Sequence, residues 1–208
     1  MTGPTLVRGA VLRYPVWWMP SRRRSRGLTL IEAMIVVVIV GILATLAVVA
    51  YRRWVRSSYV TEGQFMVSNI RTAEEAFASE NGGYLDVSGT LGKGHTYPLQ
   101  TPGSSMTAWG GPCGWCNNPT AGWTALTVTS NAPVIFGYSV IADQAQPPSA
   151  RVPAITVNGS ALNLSAMNNG APWYFVEADA NVSGDGASYT HIYGMSGTNT
   201  IYVDGEGN

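Results

Sequence analysis

The sequence predicts an α+β protein: one long amino-terminal helix, apolar and membrane-spanning in its first half, packed through its second half on an antiparallel β-sheet. Three observations predict it. The 18 residues from Ala33 to Ala50 carry no charge, which is the length of a membrane span. Apolar residues then continue at helical spacing up to a double glycine. The rest of the chain is a series of short alternating or β-branched runs separated by turn residues.

The elements follow in order. Arg22, Arg23, Arg24 and Arg26 form a basic cluster that ends at Gly27. The apolar run begins at once and contains one carboxylate, Glu32. The basic flank is expected to stay cytoplasmic. An acid inside such a segment costs roughly 2.5–3.5 kcal/mol at the bilayer centre and calls for a functional reason. Beyond Tyr51-Arg52-Arg53, apolar residues recur at Val55, Tyr59, Met66, Ile70, Ala73 and Phe77, on one helical face. Glu62, Arg71, Glu74 and Glu75 are expected on other faces. Asn81-Gly82-Gly83 is a helix stop. A helix from Thr29 to Glu80 would be about 78 Å long at 1.5 Å per residue. No isolated globular domain buries such a helix, so its first half must lie in lipid or against neighbouring subunits.

Residues 85–122 read as a loop rich in Gly, Pro, Ser and Thr. Strands are expected at Trp123–Thr129, Val134–Ile141, Pro153–Val157, Trp173–Ala178, Tyr189–Tyr193 and Thr200–Val203. Turn signals separate them at Pro147-Pro148, Asn158-Gly159, Asn168-Asn169-Gly170, Gly184-Asp185-Gly186 and Ser196-Gly197-Thr198-Asn199. The last three strands are expected to form an antiparallel meander.

The residues Arg22–Tyr51, RRRSRG followed by LTLIEAMIVVVIVGILATLAVVAY, resemble the class III signal of type IV pilins and type II secretion pseudopilins. The resemblance implies a ladle-shaped subunit with four parts: a leader at residues 1–27, a transmembrane and assembly half of the helix at 28–50, a periplasmic half at 51–80, and a head of loop and antiparallel sheet at 81–208. It also implies cleavage by a prepilin peptidase between Gly27 and Leu28, N-methylation of Leu28, and an assembly role for Glu32, the fifth residue of the mature chain, with Thr29 and Gly41. The implied partners are further copies or homologous pilins in a helical filament, the peptidase, an inner-membrane assembly platform and the lipid bilayer. The implied location is the bacterial inner membrane, single-pass with a cytoplasmic amino terminus, and then a periplasmic or extracellular filament. Two departures stand out. Val49 occupies the place where many pilins have a helix-kinking proline. The 27-residue leader is long for the family, whereas MPSRRRSRG from Met19 is of the common kind, so translation is expected to start at Met19.

Charge divides at the expected cut. Six of the twelve arginines and lysines precede it and all twelve acids follow, leaving 6 − 12 = −6 on the mature side chains. Such a surface gives no electrostatic case for nonspecific nucleic-acid binding.

Cys113 and Cys116 in GPCGWCNNP are expected to close a local disulfide after export; metal or redox roles are the alternatives. The run DANVSGDG places Asp179, Asn181, Ser183 and Asp185 at alternate positions. Its favoured reading is a hairpin turn, and its second reading is a calcium loop, which lacks a glutamate at the twelfth position. No cofactor is expected apart from that calcium. No sequence motif pairs His95 or His191 with an acid or a nucleophile, and a surface or hydrogen-bonded histidine is the expected reading of both. GxSxG, P-loop and HExxH motifs are absent, so nothing catalytic supports an enzyme.

The favoured function is a structural subunit of a type IV pilus-like filament. Its alternative is a minor pilin or a pseudopilin of a type II secretion or DNA-uptake system. A more distant alternative is a membrane-anchored periplasmic binding protein using exposed Trp109, Trp115, Trp123 and Trp173. An ordinary signal peptide cut after Val48-Val49-Ala50 is disfavoured by the long apolar run and by Glu32.

Overall fold

A helix (α1, Leu30–Asn81) carries the amino-terminal half of the fold, and an antiparallel sheet carries the rest. The computed structural model describes residues 27–110 and 119–205. The leader arginines, Met19, Trp115, Cys113 and Cys116 lie outside the described residues. The chain forms two compact units, Met1–Ala44 and Thr45–Asn208.

In the first unit the helix presents apolar side chains all round. Ile31, Met34, Ile35, Val38, Ile39 and Ile42 are among the residues exposed by half or more. The helix passes the length and composition test for a membrane span. Apolar surface on every side is the pattern of a segment made for lipid or for other apolar helices.

The second unit contains the sheet, whose strands are β1 (Gly137–Asp143), β4 (Trp173–Ala180), β5 (Thr190–Met195) and β6 (Tyr202–Asp204), in the order β1-β4-β5-β6. All three pairings are antiparallel, and β4-β5-β6 is the expected meander. One sheet face packs on the helix. Val60, Met66, Val67 and Ile70 join Val140, Val176, Ala178 and Ile192 in one core. Two glycines let the layers approach. A Cβ on Gly63 would fall 2.6 Å from Ile192 Cδ1 and 2.9 Å from Phe136 Cε2. A Cβ on Gly194 would fall 2.8 Å from Val67 Cγ1. The opposite face has its own core of Ile141, Phe175, Tyr193 and Met195, closed by Val152 and Met167 from the β1–β4 connection. That connection holds a helical turn (α3, Pro148–Arg151) and a two-residue hairpin, β2 (Thr156–Val157) with β3 (Ser160–Ala161).

Three expectations need correction. The strand expected at Trp123–Thr129 is not formed. A short helix (α2, Pro119–Ala125) occupies its start, with the Leu126 N–H donating to Gly122 O and the Val128 N–H to Trp123 O. Aromatic packing overrides the β-propensity there: Trp123 is buried against Tyr97 and Trp109, with centroids 5.9 and 5.4 Å away. The strand expected at Pro153–Val157 shrinks to β2, paired only with β3. The turn expected at Pro147-Pro148 does separate β1 from β2, and it leads into α3, where Pro suits the first helical position. Glu74, expected on an outer face, is fully buried, because it lies one helical turn beyond Ile70 on the inward stripe.

Candidate functional site

The amino-terminal site is built by a helix start. Thr29 is the cap residue, and its carbonyl accepts the Ala33 N–H at 3.1 Å. The Thr29 backbone N–H and hydroxyl both donate to Glu32 Oε2, at 2.8 and 2.7 Å, while the Glu32 N–H points to Thr29 Oγ1 at 3.3 Å. This is a reciprocal capping box, satisfying donors that a helix start otherwise leaves orphaned. Thr29-x-x-Glu32 before an apolar run was readable in the sequence as such a box and was not read so. Gly27 and Leu28 precede the helix, and both are exposed. Gly41 has open space where a Cβ would stand, so nothing among the described residues of the subunit requires a glycine there.

A second polar cluster lies in the head, on the sheet face turned away from the helix. Asp179 and His191 are partners in the β4–β5 ladder, and Glu177 stands two residues before Asp179 on the same face. His191 Nδ1 is 2.5 Å from Asp179 Oδ1 and 4.0 Å from Glu177 Oε1. The ligand atoms of all three groups lie within 4.8 Å of one another. Asp179 is 1% exposed and Glu177 7%, whereas the His191 side chain keeps 29% of its surface. The Tyr193 ring lies parallel to the imidazole, 6.0 Å between centroids. Glu177 Oε2 is buried without a hydrogen-bond partner, and so is Oγ of Ser139, its ladder neighbour on β1. Burial first, and then the Asp179 charge, push the Glu177 carboxyl up to about 7. The hydrogen bond that the imidazole donates to the Asp179 carboxylate raises His191 above its ordinary value. His191 therefore has the acid partner that sequence reading denied it, because a ladder register brings together residues twelve apart in the chain.

The four calcium candidates divide: Asp179 faces His191, whereas Asn181, Ser183 and Asp185 hydrogen-bond one another and the turn backbone. Asn181 Oδ1 accepts the Ser183 hydroxyl at 3.1 Å and the Gly184 N–H at 2.7 Å. Asp185 Oδ1 accepts the Ala187 and Ser188 N–H groups at 2.9 and 2.8 Å, which hold its carboxyl well below the usual range. Asn181, Ser183 and Asp185 thus serve the β4–β5 turn, with Gly184 and Gly186 at positive φ. The aromatics proposed as an exposed binding surface are not exposed: Trp123 and Trp173 are both 2% exposed, and Trp109 is half-buried against Tyr97. The described part of that reading loses its basis.

Sequence reading also missed Arg151. Its guanidinium reaches Asp86 at 2.6 Å, Asp143 at 3.3 Å and the carbonyls of Ala142 and Gly89 at 2.6 and 2.7 Å. It ties the loop after the helix to the end of β1.

Comparison with known proteins gives what this capped apolar helix and antiparallel sheet are similar to. Residues 22–48 match the family described as the prokaryotic N-terminal methylation motif. Over 137 residues the chain is 33% identical to the type IV major pilin protein PilA of Myxococcus xanthus (strain DK1622). That match covers 62% of this chain and 59% of the relative's length. No solved structure matches the chain.

Proposed function

We propose that this chain is a structural subunit of a type IV pilus-like filament, held in the inner membrane by its apolar helix until a prepilin peptidase has cut after Gly27 and the subunit polymerises through that helix. The observation that carries the reading is the sequence Gly27-Leu28-Thr29, a capping box closed by Glu32, and then an uncharged helix exposing apolar side chains on all sides. Such a surface needs lipid before assembly and other subunits after it. The likeness to a major pilin supports the same reading.

Cleavage would remove the leader arginines and leave an α-amine on Leu28, the residue to be methylated. Glu32 lies one turn away, and its carboxylate is free to exchange its Thr29 contacts for the amine of a neighbouring subunit. The two charges would then leave lipid as a pair. Stranding one of them in an apolar bundle costs roughly 3–5 kcal/mol. Partners in this scheme are further subunits, the peptidase and an assembly platform, and the head would lie outside the cytoplasm. The subunit is structural and performs no catalysis.

Intact-mass analysis of the protein from its native host tests the reading. A mature chain starting at N-methylated Leu28 is the expected result. A chain starting after Ala50, or one retaining the leader, would refute prepilin processing.

A further inference from the structure

The assembly scheme proposed above makes no use of the polar cluster on the outer sheet face. We propose that Glu177, Asp179 and His191 bind one divalent transition-metal ion of the zinc class, a site in the head independent of the pilus reading.

The donor set is one imidazole nitrogen and two carboxylates, drawn from adjacent positions of a two-strand ladder. Imidazole with carboxylate suits zinc and its neighbours, whereas calcium takes oxygen ligands only. The backbone of β4 and β5 fixes the three Cα positions through main-chain hydrogen bonds, so only side-chain torsions need adjust. Ligands about 2.1 Å from a tetrahedral ion stand about 3.4 Å apart. The present separations, 2.5 Å for Asp179–His191 and 4.0 Å for Glu177–His191, fall on either side of that value. The ion would take the place of the Nδ1 proton between Asp179 and His191; an imidazolium gives that proton to solvent, and a neutral imidazole binds as the tautomer with its proton on Nε2.

Two further observations point to a missing ligand. Glu177 Oε2 is buried and has no partner. A buried carboxylate oxygen left alone is costly, and metal coordination satisfies it. Ser139, directly across the ladder and fully buried, also has an unpartnered hydroxyl facing the same side. It is placed to hydrogen-bond Glu177 or a water on the ion, as groups behind metal ligands commonly do. The partial exposure of the imidazole leaves an entry path.

The test uses the full-length protein in detergent micelles, stripped with a chelator and titrated with zinc sulfate and, separately, cobalt(II) chloride. One equivalent of zinc per chain, a raised Tm and a visible cobalt absorption band that zinc removes are expected. Cysteine ligation would add a thiolate charge-transfer band, so a Cys113→Ser, Cys116→Ser double variant is run beside it and should keep the site. His191→Gln and Glu177→Gln should abolish the cobalt band, and Asp185→Asn should not alter it. A folded protein that binds neither metal, or one that takes calcium in preference to zinc, would overturn the proposal. So would zinc binding that survives both the His191 and Glu177 substitutions. The cobalt spectrum of the unsubstituted chain decides the matter even where a variant fails to fold.

Discussion

Glu74 shows how much one helical position decides. It sits inside the head, where its Oε2 accepts the Leu85 N–H at 2.9 Å and its Oε1 has no partner. Burial pushes its carboxyl up to about 8 from 4.5. The folded state therefore holds this proton more tightly than the unfolded chain does. Its contribution is fully present below pH 4.5 and is lost as pH rises through about 8. Thermal unfolding of the protein should accordingly show Tm falling between pH 5 and pH 8, and Glu74→Gln should flatten that slope. A slope unchanged in the variant would mean that other groups set it. Gly197 is the second decisive residue. Its φ is +77°, and a Cβ would stand 2.5 Å from the Ala166 carbonyl oxygen. Gly197→Ala should destabilise by about 1–3 kcal/mol, read from chemical denaturation. Glu32 belongs to the same scale but acts in assembly. Glu32→Ala should leave membrane insertion intact and abolish incorporation into filaments, assayed by fractionating sheared filaments from membranes.

At the scale of elements, the helix and the sheet meet largely through shape, with Arg71 of α1 donating to the Thr198 and Asn199 carbonyls of the β5–β6 turn. Gly63 sits on the inward stripe of α1, four residues before Val67, and is the place where Ile192 and Phe136 approach the helix axis most closely. Gly63→Val should overpack that seam and cost about 1–3 kcal/mol, a change measurable as a lower denaturation midpoint with the helical circular-dichroism signal retained. The connections depend more on charge. Arg151 holds together three separate stretches of backbone with four hydrogen bonds, two of them ion-paired. Arg151→Ala should cost about 1–3 kcal/mol and speed amide hydrogen exchange in residues 86–89 first. Much at this scale was legible. The helix was expected at Thr29–Glu80 and runs Leu30–Asn81, because helical periodicity and a glycine stop are local signals. The β4-β5-β6 meander was legible for the same reason, since alternation and turn residues are local. The Trp123 segment was not, because its conformation follows from contacts with Tyr97 and Trp109, remote in sequence or set by a loop path.

For the molecule as a whole, every buried core residue among the described residues lies at Val60 or beyond. A chain beginning at Arg52 should therefore fold and stay monomeric in aqueous buffer without detergent, while the full chain should partition into membranes. Sedimentation with and without liposomes would separate the two, and aggregation of the shorter chain would mean that the apolar half contributes to the head. What the sequence determined by itself is the division of labour along the chain. An uncharged run of membrane length, a glycine after arginines, a lone glutamate and a periodic stripe are all one-dimensional patterns, each dictated by the solvent the segment must meet. What only the tertiary structure decided is which polar residues face one another. Glu177, Asp179 and His191 converge, Glu74 turns inward, and Trp123 and Trp173 vanish into cores, because strand register and helix rotation assign side chains to a face. A shift of one residue would send a strand's side chains to the other face and turn a helix's by about 100°.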